Sequence, residues 1–223
     1  MTDHHRRLDD DLDLLRDNVL LLGGEAESAV HKAMASLVER DSNLAHEVLI
    51  HDDVIDKMEL EVDELAIDIL ALFNPAARDL RLVITAVKLA PTLERIADHA
   101  CNIARHAIEL NDEPQLKPYI DLPAMANLAM GMLRSVMDAF AAGDAHAVRE
   151  IIQRDDRIDA LYKQLIRELL TYMIENPKTI TQGTSLLFVA KHLERIADYV
   201  TNIGEQIVYM VEGRVIKHMP LQS

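Results

Sequence analysis

A single cysteine, Cys101, leaves this 223-residue chain without an internal disulfide, which fits a reducing compartment. Tryptophan is absent and aromatics make up only 4% of the residues, so strands, which favour aromatic and β-branched side chains, have little to build on. Seven glycines and seven prolines leave few places for turns. No uncharged apolar run approaches the roughly 18 residues that cross a bilayer. The charged stretch from Met1 to Asp13 has no apolar signal core. A cytoplasmic protein is expected. Positive charge is scarce as well, because 23 Lys and Arg face 38 Asp and Glu, a net charge of −15. That excludes nucleic acid, whose binding needs a basic surface to displace counterions. It also argues against direct docking on anionic lipid, and favours cations or basic protein patches as partners.

What is present is mostly helix-forming. The chain is 49% hydrophobic, chiefly Leu, Ile, Val, Ala and Met, and Leu, Ala, Met, Glu, Lys and Arg all have high helix propensity. An all-α protein with long helices follows.

The chain is also a tandem repeat, which decides the fold class. Asp52-Asp53-Val54-Ile55-Asp56 is answered by Asp155-Asp156-Arg157-Ile158-Asp159, and Asn74-Pro75 by Asn176-Pro177. Leu93-Glu94-Arg95-Ile96-Ala97-Asp98 recurs as Leu193 to Asp198, and Asn102-Ile103 as Asn202-Ile203. Within each copy the spacing is helical: Ile55, Met58, Val62, Leu65 and Ile69 recur at the three-and-four interval of one buried face. Asp41-Ser42 and Gly143-Asp144 supply turn and N-cap chemistry, and Asn-Pro closes a helix in each half. Helices are expected near 8–40, 43–72, 78–110, 124–142, 145–175 and 179–211. Two three-helix bundles result, over residues 1–112 and 121–218, joined by the proline-bearing loop from Asn111 to Pro123. Gly23-Gly24 implies a kink or a break in the first helix, and Pro91 a bend in the third, with Lys191 at the matching position of the second half.

A helical wheel of the third helix gathers Leu93, Ile96, Ala97, Ala100, Ile103, Ala104 and Ala107 on one apolar arc. Glu94, Asp98, Cys101 and Arg105 fall nearly opposite, as do Glu194, Asp198, Thr201 and Glu205 in the second copy. Asp52, Asp56, Glu59 and Asp63 form a similar stripe on the second helix. These carboxylates are expected to face outward, unlike the inward carboxylates of di-iron bundles. Two carboxylates one turn apart repel by roughly 0.2–0.5 kcal/mol, and a cation between them reverses the sign. The residues alone fit a solvated acidic face as well as a cation site. Hard oxygen ligands suit Mg²⁺, Mn²⁺, Ca²⁺ or iron.

The repeat tests histidine as a shared ligand. His51 matches Arg154, His99 matches Tyr199, His192 matches Thr92 and His106 matches Gln206. Histidine is therefore not common to both halves, although His99 could contribute on one side. Arg95 and Arg195, at the edge of the acidic face, are expected in local ion pairs. Cys101 is replaced by Thr201 and, as a surface thiol beside carboxylates, is expected to have a raised pKa and no nucleophilic role. Gly-rich phosphate loops, Gly-x-Ser-x-Gly and His-Glu-x-x-His are all missing. The chain reads as a non-enzyme.

From about Leu8 to His218 these motifs, in order and in duplicate, resemble the PhoU family of bacterial phosphate-signalling regulators. The carriers include Asp79-Leu80-Arg81 after Asn74-Pro75, and Leu170-Thr171-Tyr172-Met173 in the second half. The resemblance implies an elongated pair of three-helix bundles, often dimeric. It implies metal ions (iron, zinc, manganese or magnesium) on the acidic motifs, here Asp52, Asp56, Glu94, Asp98, Asp155, Asp159, Glu194 and Asp198. Proteins similar to this one silence the phosphate-starvation response by linking the ATPase subunit of a phosphate ABC transporter to a membrane sensor histidine kinase. They gather at the inner face of the membrane through those partners. Two alternatives stand beside this reading: a metal-buffering protein, and a PhoU-like paralogue serving another transporter. The family motif commonly has Gly where Ala97 and Ala197 stand here. Both alanines lie on the core arc and favour helix.

Overall fold

The computed structural model describes residues 2–214, with side chains from Arg6 onward. Seven α-helices and one short 3-10 turn account for the described architecture, and no strand occurs among the described residues. The first half contains α1 (Thr2–Val38), α2 (Ser42–Phe73) and α3 (Ala77–Asn111). The second contains α4 (Asp121–Ala142), α5 (Ala145–Ile152), α6 (Asp155–Glu175), the 3-10 turn Pro177–Thr179 and α7 (Ile180–Glu212). Residues 215–218, the expected end of the second bundle, lie outside the described residues.

The helix boundaries follow the cap chemistry. Asp41 accepts a hydrogen bond from the Asn43 N–H at the start of α2, and Asp144 accepts from the His146 and Ala147 N–H groups at the start of α5. Asn74 ends α2 in the left-handed conformation (φ 49°), and Gly143 ends α4 in the same way (φ 65°).

One expectation is corrected and another narrowed. The helix expected over 145–175 is divided at Gln153-Arg154 into α5 and α6. No Gly or Pro marks the junction. The new N-terminus places Asp155 and Asp156 in the first turn of α6, where carboxylates offset the exposed N–H dipoles. By contrast, α1 runs unbroken through Gly23-Gly24. A Cβ at Gly23 would lie 2.8 Å from Met137 Cε, so this glycine lets α1 approach α4 closely.

The apolar arcs are buried as the wheel requires. Leu93, Ile96, Ala97, Ala100 and Ile103 of α3 are buried, as are Leu193, Ile196, Ala197, Val200 and Ile203 of α7. On α2, Ile55, Val62 and Ile69 are buried, while Met58 and Leu65 pack partly buried against them. Each fully buried Leu or Ile contributes roughly 1.5–3 kcal/mol of transfer free energy.

The halves share one continuous hydrophobic core. Their seam is the pairing of α3 with α7, supported by α1 on α4. Helices α3 and α7 run antiparallel. Arg81 Nε donates to the Met210 carbonyl at 3.0 Å at one end. His106 stacks on Phe188 towards the other, with centroids 5.4 Å apart. Near the middle the repeat-equivalent His99 and Tyr199 stack at 5.5 Å. This seam sets one acidic motif on each side.

Candidate functional site

Packing on α1, α2 and α7 surrounds α3 on more than its apolar arc. Cys101 shows the consequence: it is 1% exposed, with Sγ 3.9 Å from the Val48 carbonyl of α2. The expected outward stripe of α3 therefore borders a crease against α2, with Glu94 half-buried at its wall and Asp98 exposed at its rim. A single-helix wheel cannot see the second helix that covers the polar side. The Cys101 thiol is pushed up to about 12, first by burial and then by the Asp52 carboxylate. It is a buried thiol and not the surface cysteine expected.

In the first half the crease gathers Asp52, Asp56 and Glu59 from α2 with Glu94 and Asp98 from α3. Burial, then Asp98, Glu59 and Asp56, push the Glu94 carboxyl up to about 7. Asp56 is raised by burial and by Asp52, Asp98 and Asp53. Glu59 is raised by burial and by Asp63 and Asp56. Asp63 Oδ1 is buried without a hydrogen-bond partner. All four first-half candidates thus belong to one electrostatic cluster. Glu59, which sequence reasoning placed on the stripe but not among the ligands, joins it.

In the second half Asp155 and Asp159 of α6 face Glu194 and Asp198 of α7. Asp155 is pushed up to about 6 by burial, then by Asp198, Asp159, Asp156 and Glu194. Asp198 is raised by burial and Glu194, against the pull of Arg195 and Lys191. The second crease differs in carrying cations of its own, Lys191 and Arg195. Lys191 Nζ lies 2.6 Å from Glu194 Oε2 and 5.4 Å from the Tyr162 ring centroid. The matching first-half positions hold Pro91 and Glu59. The alignment that sets Pro91 against Lys191 carried this signal.

Arg195 pairs with Asp198 at 3.4 Å, as expected, whereas Arg95 makes no ion pair among the described residues. The histidines are engaged elsewhere. His51 Nε2 meets Glu25 Oε2 of α1 at 2.8 Å. His99 Nδ1 lies 2.9 Å from His192 Nδ1 across the α3/α7 seam. Burial, then His99 and His106, drive His192 down to about 4.

The donor chemistry fits hard cations: clustered carboxylates whose ionisation is opposed by burial and by one another. Among the described residues no three His, Cys, Asp or Glu side chains already converge as a cage, so binding requires the carboxylates to turn inward. A cleft of about 710 Å³, lined by Arg16, Arg78, Phe140 and Met210, contains none of the eight candidate ligands.

Comparison with known proteins places these features in a family. The PhoU domain model matches residues 19–107 and 122–207. The Thermotoga maritima phosphate-specific transport system accessory protein PhoU homolog 2 is 39% identical over 96% of this chain and 91% of its own length. The Pseudomonas putida PhoU homolog is 39% identical over 98% of this chain and 87% of its own. The crystal structure of PhoU from Pseudomonas aeruginosa superposes with a TM-score of 0.88 at 38% identity, covering 92% of this chain and 99% of that one. The phosphate transport system regulatory protein PhoU from Streptococcus pneumoniae gives the same TM-score at 30% identity, covering 94% and 99%.

Proposed function

The chain belongs to the PhoU family, and from that premise we propose that it is a non-enzymatic accessory regulator of phosphate transport. It works as an adaptor between the ATPase subunit of a phosphate ABC transporter and a sensor histidine kinase, holding the starvation response off when phosphate is plentiful. Support comes from relatives of nearly full-length similarity whose names say accessory to phosphate-specific transport. The exposed rims of the creases, such as Asp56 and Asp98, suit a contact surface. No helix among the described residues is long and apolar enough to cross a membrane. Contact with membrane components then runs through protein partners, and a homodimer is the working assembly.

The acidic creases hold divalent or trivalent cations in this reading. Asp52, Asp56, Glu94 and Asp98 serve the first half; Asp155, Asp159, Glu194 and Asp198 serve the second. The observation that carries it is Glu94, whose carboxyl is pushed up to about 7 by burial and then by the neighbouring carboxylates Asp98, Glu59 and Asp56. A bound cation supplies the positive charge that lets the cluster ionise together. Since Lys191 already offsets Glu194, the first-half crease binds the more tightly of the two.

Deleting the protein in its host tests the regulatory role: starvation genes should be expressed in phosphate-rich medium. A normal phosphate response in the deletion strain rejects it and points to a paralogue serving another transporter. Metal buffering is the second reading, favoured by the carboxylate density of the first crease. It predicts that Glu94→Ala removes bound metal while signalling survives, whereas the adaptor reading with a working metal predicts that both are lost.

A further inference from the structure

Three histidines interleave along the α3/α7 seam: His99 and His106 from α3, and His192 from α7. The His99 and His192 ring centroids are 5.0 Å apart, and those of His192 and His106 are 6.0 Å apart. Tyr199 continues the row beyond His99, and Phe188 continues it beyond His106. All three histidines are half-buried, so their imidazoles stay within reach of solvent. His106 is held in place by its neighbours. Its Nδ1 meets Glu109 Oε2 at 3.3 Å, and its ring lies within 5° of parallel to that of Phe188.

The repeat shows that packing does not call for these rings. His99 and His192 correspond to Tyr199 and Thr92, and Thr92 donates its hydroxyl to the Lys88 carbonyl of its own helix at 2.9 Å. Both members of the facing pair are therefore histidine in one copy and neither is in the other. His99 Nδ1 and His192 Nδ1 lie 2.9 Å apart. Between neutral imidazoles that contact is a single N–H···N hydrogen bond, and a metal ion replaces the shared proton by taking both lone pairs. A metal–imidazole bond is about 2.0–2.1 Å long, so nitrogens 2.9 Å apart subtend an angle of about 90° at an ion placed beside them. Tetrahedral zinc needs a wider separation, whereas tetragonal Cu²⁺ and Ni²⁺ take ligands at right angles. Turning each ring about χ2, a broad torsion in histidine, aims both lone pairs at that point. Asp98 and Arg195 act on His99 with opposite sign, so their charges offset each other as an ion approaches.

We propose that His99 and His192 form a two-imidazole site for a divalent ion of the nickel and copper class, which ties the first half of the chain to the second across the seam. Water completes the coordination on the solvent side. His106 walls the site and is not a ligand, since Glu109 and Phe188 hold its ring. The site is separate from the acidic creases, which offer carboxylate oxygen to harder ions. It does not depend on the phosphate-related function.

Electron paramagnetic resonance of Cu²⁺ on the untagged full chain tests this, because it distinguishes imidazole nitrogen from carboxylate oxygen. His4→Ala and His5→Ala are carried throughout, so that this adjacent pair does not compete, and excess Mg²⁺ is present to saturate the carboxylates. One equivalent of Cu²⁺ should show coupling to two nitrogens, and Ni²⁺ should raise the melting temperature. His192→Thr and His99→Tyr each import the residue of the other repeat. Either should weaken Cu²⁺ binding by more than about tenfold, a loss that even an outer-shell change produces, and remove the Ni²⁺ shift. His106→Gln, chosen by the same rule, should keep both. Circular dichroism checks that each variant folds. An oxygen-only spectrum overturns the proposal, as does nitrogen coupling that survives both His99→Tyr and His192→Thr. A loss in His106→Gln equal to that in His192→Thr overturns the two-ligand site.

Discussion

Lys191 and Glu194 form a 2.6 Å ion pair one turn apart on α7, in the place where α3 sets Pro91 beside Glu94. One ancestral motif has therefore come to sit in two different electrostatic states. The second-half crease carries part of its counter-charge on its own helix, whereas the first-half crease must obtain it from outside. Lys191→Ala should reduce that difference, leaving only the Arg195–Asp198 pair in the second half. Added Mn²⁺ or Mg²⁺ should then raise the melting temperature more than in the wild type. Loss of the ion pair itself should cost only about 0–1 kcal/mol, as for other partly exposed pairs. Calorimetric melts with and without cation check both parts.

Stability should depend on pH through Glu94. Its folded pKa of about 7 lies above its ordinary 4.5, so between these values the folded state binds more proton than the unfolded chain. Its contribution is fully present below about pH 4.5 and is lost as pH rises through 7. His192, held near 4 in the fold against an ordinary 6.5, works in the opposite direction over part of that window. The difference between wild type and Glu94→Gln in chelator isolates the carboxylate. The wild type should lose melting temperature relative to Glu94→Gln from pH 5 to pH 7.5, and parallel curves would reject the assignment.

Cys101 should be inert in the native protein. Its thiol stands near 12 and is 1% exposed, so almost none is thiolate at pH 8. A chromogenic disulfide reagent should label it only after denaturation. Rapid native labelling would place the residue outside the α2/α3 crease.

Much of this fold is readable in the sequence, because duplication and helical period are local signals that packing respects. Asp41 and Asp144 declare their caps, and the apolar arc of Leu93, Ile96, Ala100 and Ile103 declares the core. The errors have a common cause. A wheel describes one helix in isolation, so it cannot show that α2 covers Cys101, or that α4 comes close enough to explain Gly23. The break between α5 and α6 also left no Gly or Pro to read. Lys191 was visible in the repeat, but its place beside Glu194 gains meaning only once the carboxylates are seen to cluster.

The adjacent glycines of α1 should respond differently to substitution. A Cβ added at Gly24 would meet nothing within 4 Å, so Gly24→Ala should stabilise by about 0.5–1 kcal/mol through helix propensity alone. At Gly23 an added methyl meets the flexible end of Met137 at 2.8 Å, which offsets most of the same gain. Gly23→Leu should cost about 1–3 kcal/mol by overpacking the α1/α4 contact. Urea denaturation of the three variants separates these outcomes.

Titration of chelator-stripped protein with Mn²⁺, followed by calorimetry, tests the cation account most directly. Glu94→Ala should abolish the tighter binding phase, while Glu194→Ala should leave it in place. Binding that Glu94→Ala leaves unchanged, or no binding by the wild type at all, would contradict the account.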